Sequence, residues 1–166
     1  MKKDILIYFD IITSLKTIQE ANSLIENIDS LMLIFFKSEK ISIKEALGSI
    51  NTGFASEVMQ VFEKNNLDIN NRDSVTDFFA KLKGLIKKFE VIRLVLAFDP
   101  TNKTIENIHN FVKETLGIGY ILDIEVSQSI LAGAIVIFNG KYIDYSLKKR
   151  IEDTFETKKG EMLNLI

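Results

Sequence analysis

The chain has 166 residues, with 21 basic and 23 acidic side chains, a formal net charge of −2 and no cysteine. Intermixed charge without a basic surplus argues against a nucleic-acid binder, and the lack of cysteine excludes a disulfide framework or a thiolate metal site. With 46% hydrophobic and 27% charged residues, the composition is that of a globular chain, and the length fits one domain or two small ones.

The first half reads as helical. Ile11, Leu15, Ile18, Ala21, Ile25 and Ile28 recur at spacings of three and four, which predicts one continuous apolar stripe backed by Lys16, Gln19, Glu20 and Asn27. Ile5, Tyr8, Phe9 and Ile12 lie beside that stripe. They are candidates for a partner-facing patch, with core as the competing reading. Residues 31–36 read as a short buried helix, with a strand as the alternative that so short an apolar run leaves open. Ser42-Ile43-Lys44-Glu45 fits a capping box that starts a short helix ending near Gly48. A helix over about 54–64 follows, then a polar break marked by Asn65-Asn66 and Asn70-Asn71. Asp73 or Ser74 is the expected cap of a strongly amphipathic helix carrying Val75, Phe78, Phe79, Leu82, Leu85, Ile86 and Phe89. The sum is a bundle of four to five short helices packed by interlocking ridges.

After residue 89 the period changes. Residues 91–98 are apolar except for Arg93, as expected of a strand covered on both faces. Asp99-Pro100 stops it, Thr101 is the expected N-cap, and Ile105, Ile108, Val112 and Leu116 form the stripe of a helix that Gly117 and Gly119 can end. Tyr120–Val126 sets Leu122, Ile124 and Val126 against Asp123 and Glu125, the pattern of a half-buried strand. Gly133 in an apolar run signals a bulge or close backbone approach. Asn139-Gly140 between apolar runs predicts a tight hairpin. Asp144 and Ser146 are suited to cap a final helix over about 146–155. The fold class is therefore α+β: a helical bundle over residues 1–89, then a small mixed-sheet α/β domain over 90–166.

The residues offer little covalent chemistry. His109 falls at the border of its helix stripe, where the expected position has the ring tip in water. A Ser146–His109–Asp144 triad can be written, but Ser146 lacks the Gly-x-Ser-x-Gly elbow, and capping is the better use of Asp144 and Ser146. Asp123 and Glu125 read as a solvated strand face, too few oxygens for calcium. Lys148, Lys149 and Arg150 are followed at once by Glu152 and Asp153, so no sustained basic patch forms. Gly117-Ile118-Gly119 lacks a third glycine and follows a helix. No catalytic, cofactor or metal site is expected. Asp4 and Asp10 interrupt the apolar start, no small-residue cleavage site follows, and no run approaches the roughly 20 apolar residues of a membrane span. The apolar tail Met162-Leu163-Asn164-Leu165-Ile166 could dock on this domain or a partner helix.

One segment carries a resemblance. Ile130-Leu131-Ala132-Gly133, the run Ile135-Val136-Ile137-Phe138, the turn Asn139-Gly140-Lys141, then Tyr142-Ile143-Asp144-Tyr145-Ser146 and a basic helix resemble the C-terminal pattern of the delta subunit of F-type ATP synthases. In mitochondria its counterpart is named the oligomycin-sensitivity conferral protein. The family form is Leu-Ile-Gly-Gly, an apolar run, a Gly-containing turn and Val-Ile-Asp-Gly-Ser. Here Ala132 replaces the first paired glycine and Tyr145 replaces the Gly between Asp and Ser. The resemblance implies a non-catalytic stator, or peripheral stalk, subunit of a proton- or sodium-translocating synthase. Its helical half would grip N-terminal segments of alpha subunits, and its C-terminal half would hold the C-terminal end of the b stalk. It would sit at the cytoplasmic face of the cell membrane through the complex, with no nucleic-acid partner and no direct insertion. An unrelated α+β adaptor, and a small hydrolase, are the alternative readings.

Overall fold

The structure, a computed structural model, describes the backbone of residues 2–37, 42–48 and 52–163, and the side chains of these except 2–6, 44, 52 and 157–163. The backbone clusters into two compact units, Met1–Phe89 and Glu90–Ile166.

The first unit is all helix: α1 (Lys2–Ser14), α2 (Ile18–Lys37), α3 (Ile43–Gly48), α4 (Thr52–Lys64) and α5 (Arg72–Ile86). The expected single stripe from Ile11 to Ile28 is real as burial but not as one helix. The Ser14 hydroxyl donates back to the Ile11 carbonyl at 2.8 Å, and α2 restarts on a capping box at Thr17-Ile18-Gln19-Glu20. There Glu20 N–H donates to Thr17 Oγ1 at 3.2 Å, while Glu20 Oε2 accepts from Thr17 N–H at 3.2 Å and Lys16 N–H at 2.7 Å. These reciprocal bonds satisfy N–H groups that an uncapped start would leave open. Residues 31–36 are not a separate element but the last turns of α2. Leu24, Ile28, Leu31 and Phe35 line its buried side, and Leu33 and Phe36 point out.

The Ser42–Glu45 capping box forms, with Ser42 N–H to Glu45 Oε2 at 3.0 Å and Glu45 N–H to Ser42 Oγ at 3.3 Å. Helix α4 ends in a Schellman turn: Asn66 takes φ 51°, and Leu67 N–H reaches back to the Phe62 carbonyl at 2.9 Å. The cap of α5 is Asn71 rather than Asp73 or Ser74. Its Oδ1 accepts from the N–H groups of both those residues, at 3.0 and 3.1 Å. Phe78 is the aromatic hub of the core, with ring centroids 4.9 Å from Tyr8, 4.7 Å from Phe62 and 5.2 Å from Phe79. Edge-on and tilted rings at these distances add favourable contact beyond the area they bury.

The second unit is a four-stranded mixed sheet in the order β2-β1-β3-β4 with helices α6 and α7. Its strands are β1 (Glu90–Leu96), β2 (Tyr120–Val126), β3 (Ala134–Phe138) and β4 (Lys141–Asp144); the helices are α6 (Asn102–Leu116) and α7 (Leu147–Leu163). The β1–α6–β2 crossover gives a parallel pair, Ile92 opposite Leu122, and β3 and β4 add antiparallel. Strand β1 is not covered on both faces as its apolar run suggested. Ile92, Leu94 and Leu96 are buried, while Val91 and Arg93 are exposed and Arg93 pairs with Glu125 on β2. The buried row joins Leu122, and Ile105, Ile108 and Val112 of α6 pack on it. Helix α6 is capped by Thr101 Oγ1, 3.2 Å from Thr104 N, and stops at Gly117, whose φ of 99° an L side chain resists. His109 is only 6% exposed. It lies four residues after Ile105 and three before Val112, on the side of α6 that packs on the sheet, contrary to the expectation of a ring tip in water. On β2, Ile121 and Leu122 are buried and Val126 is exposed, so the strand alternates less cleanly than its sequence.

Candidate partner-binding face

The hairpin and the step into α7 are held by the small residues before β3. Gly133 has φ 96°, and a Cβ there would lie 2.4 Å from the Tyr145 carbonyl oxygen and 3.0 Å from Ser146 Cα. Around that contact three main-chain bonds close: Tyr145 N–H to Ala134 O at 2.9 Å, Leu147 N–H to Ala132 O at 2.8 Å, and Ala97 N–H to Gly133 O at 3.3 Å. The β4–α7 connection is thus clasped to Ala132 and Ala134 at the start of β3. At the other end of β3, Asn139 (φ 49°) and Gly140 (φ 72°) make the two-residue turn, and Phe138 pairs with Lys141.

Helix α7 opens on a double cap. Asp144 Oδ1 accepts from Ser146 N–H at 2.8 Å, and Ser146 Oγ accepts from Lys149 N–H at 3.3 Å. Hydrogen bonding from the Ser146 side chain, then from its backbone, holds the Asp144 carboxyl below the usual carboxylate range, and Lys149 and Lys148 pull the same way. Ser146 is 5% exposed. It is a buried cap with its oxygen engaged, which is unlike an exposed nucleophile. Lys149 and Asp153 pair at 2.8 Å along the helix, and the Asp153 bond raises the Lys149 ammonium above its ordinary value. Asp123 and Glu125 share a strand face, but Glu125 is taken by Arg93. Among the described residues no three His, Cys, Asp or Glu gather as a metal-binding group.

What the clasp presents is apolar surface. Leu147, Ile151 and Phe155 (70% exposed) fall at successive four-residue steps on α7, which places them along one side of the helix. Tyr142 and Ile143 of β4 and Tyr145 in the connection are exposed beside them in sequence. Scattered apolar residues on a surface are ordinary, whereas an exposed apolar series along one side of an otherwise charged helix is a candidate partner site.

A family model for the ATP synthase delta (OSCP) subunit matches residues 10–156, from α1 into α7. The chain belongs to the ATP synthase delta (OSCP) subunit family. A relative, ATP synthase subunit delta of Thermosipho melanesiensis (strain DSM 12029 / CIP 104789 / BI429), is 25% identical over 124 residues, covering 72% of this chain and 68% of that protein. A solved structure, the cryo-EM composite model of the Toxoplasma gondii mitochondrial ATP synthase hexamer, contains a chain 16% identical with a TM-score of 0.36, covering 84% of this chain and 83% of that one.

The positions that carry this delta-family resemblance now have places. Gly133 stands at the close backbone approach, Asn139 and Gly140 in the turn, and Asp144 and Ser146 in the double cap. Ala132 accepts the Leu147 N–H. Neither Ala132 nor Tyr145 adopts positive φ, so the two departures from the glycine pattern cost no backbone strain, and Tyr145 turns its ring to solvent. Of the four candidates on α1, Tyr8 and Ile12 are buried in the bundle core and Phe9 is 37% exposed. The Ile5 side chain lies outside the described residues, as does the end of the tail at residues 164–166. Leu147, Ile151 and Phe155 escape a reading of the sequence for partner-facing residues. Their one signal is an i, i+4, i+8 apolar series on an otherwise charged helix.

Proposed function

We propose that the chain is a stator subunit of a proton- or sodium-translocating F-type ATP synthase. It would tie the alpha–beta catalytic head to the b stalk, residues 1–89 serving the head and residues 90–166 the stalk. The observation that carries this reading is the exposed apolar side of α7, Leu147, Ile151 and Phe155, which starts at a connection clasped at Gly133. A stalk helix laid against Leu147, Ile151 and Phe155 would bury them, the helix-in-groove mode of recognition. On the bundle, the groove between α1 and α5, lined by Ile7, Tyr8, Leu67 and Phe78 and edged by Ser74, Asp77 and Lys81, fits an amphipathic segment from an alpha subunit. Phe9 adds apolar surface on the same helix.

The work assigned is mechanical. The rotor's torque has to be resisted by contacts that outlast many turnovers, so slow dissociation and well-packed apolar area matter, and no bond in a substrate is made or broken here. The chain would lie at the cytoplasmic face of the cell membrane through its partners. Among the described residues no helix is long and apolar enough to cross a membrane. The test is reconstitution on membranes stripped of this subunit: adding the chain should restore coupling of ion flow to ATP turnover without changing hydrolysis by the isolated head. Turnover of ATP by the purified chain alone, or no restored coupling, overturns the proposal.

A further inference from the structure

We propose that Asn139 is a site of spontaneous deamidation and isomerisation, at which the hairpin turn chemically alters its own backbone. Asn139-Gly140 is the sole Asn-Gly step in the sequence. Both residues are exposed, and Gly140 carries no side chain of its own to crowd the amide nitrogen that follows Asn139. That N–H lies between the paired residues Phe138 and Lys141 and takes part in none of the turn hydrogen bonds. The Asn139 side chain makes no hydrogen bond to a described residue.

Three asparagines at helix ends, Asn65, Asn66 and Asn71, are protected by comparison. Asn65 donates its side-chain amide to Val61 O at 2.8 Å, and Asn71 accepts from Asp73 and Ser74. Asn66 shares the left-handed conformation, but the following nitrogen, on Leu67, is bonded to Phe62 O and carries a branched residue behind it.

The reaction needs only water. The Gly140 nitrogen attacks Asn139 Cγ; the N–Cγ bond forms, the Cγ–Nδ2 bond breaks, and Nδ2 leaves as ammonia with the proton from Gly140. Water then opens the cyclic imide. Addition at Cγ breaks N–Cγ and gives Asp. Addition at the main-chain carbonyl carbon breaks its bond to nitrogen and gives isoaspartate, with the chain now running through Cβ and Cγ. In both cases water returns the proton to nitrogen. Aspartate tolerates the left-handed turn. Isoaspartate adds a methylene to the main chain of a two-residue turn, and turn length sets the register of the strands it joins. The pairs Phe138–Lys141 and Val136–Ile143 are therefore the ones to loosen.

The test is to age the folded full-length chain in mildly alkaline and mildly acidic buffer and map peptides by a fragmentation method that separates Asp from isoaspartate. Asn139 should convert several-fold faster than Asn65, Asn66 or Asn71, faster at alkaline pH, with isoaspartate exceeding Asp. In the isoaspartate fraction the β3 and β4 amides should exchange hydrogen faster, whereas Asn139→Asp should not show that loosening. An Asn139 that stays intact, or that converts no faster than Asn65, Asn66 or Asn71, or a product of Asp alone with no pH dependence, overturns the inference. The result is independent of what the α7 strip binds.

Discussion

Substituting Gly133→Ala tests the clasp at a single atom. The added Cβ would meet Tyr145 O at 2.4 Å, Ser146 Cα at 3.0 Å and Tyr145 C at 3.2 Å, all backbone, with φ at 96°. Positive φ costs an L residue about 1–2 kcal/mol. Moving the β4–α7 connection away to relieve the clash weakens the Tyr145–Ala134 and Leu147–Ala132 bonds, at about 1 kcal/mol each. The expected loss is therefore about 3–4 kcal/mol, borne by the second unit. Two units need not unfold together, so the assay is native-state hydrogen exchange at the Tyr145 and Leu147 amides, and a loss of that size corresponds to roughly a hundredfold or more in exchange. Gly84→Ala is the matched control. Gly84 sits inside α5 with open space where a Cβ would go, so that change should stabilise the bundle by about 0.5–1 kcal/mol. A Gly133→Ala chain with unaltered protection at those amides would refute the argument.

Thr17→Ala removes the hydroxyl of the α2 capping box and should cost about 1 kcal/mol, read as a lower denaturation midpoint of the bundle with an unchanged slope. Ile151→Asp with Phe155→Asp should leave thermal stability within about 0.5 kcal/mol, as surface changes do, while weakening binding to the C-terminal segment of the b stalk by an order of magnitude or more, measured by calorimetry. Asp144 has a depressed folded pKa, so its stabilising contribution is present above the ordinary carboxylate pKa of about 4 and lost as pH falls through the lower folded value. The stability gap between wild type and Asp144→Ala should therefore be open at neutral pH and close in acid, in chemical denaturation run across pH.

Residue periodicity made the architecture legible wherever burial and hydrogen bonding agree. The α+β order, the Asn139-Gly140 turn and the Thr101 cap all follow from local chemistry. The errors arose where a local hydrogen bond overrides a longer pattern. The stripe through Ile11–Ile28 continues in space, but the Thr17–Glu20 box breaks the helix beneath it. Asn71 outcompetes Asp73 because its position lets Oδ1 reach two N–H groups at once. Tertiary position explains the rest: whether Val91 is covered, or His109 tucked in, depends on what packs against each side of a sheet or helix. The α7 strip is hidden in the sequence for a related reason, since an apolar series reads as core until a fold leaves it exposed.

The most direct test of the stator account is to measure, on one preparation of the full chain, simultaneous binding of the alpha–beta head and of the C-terminal segment of the b stalk. The account predicts a ternary complex in which Ile151→Asp with Phe155→Asp weakens capture of the b segment by an order of magnitude or more and leaves head binding intact. Binding to neither partner, or capture of the b segment undiminished by those substitutions, would contradict it.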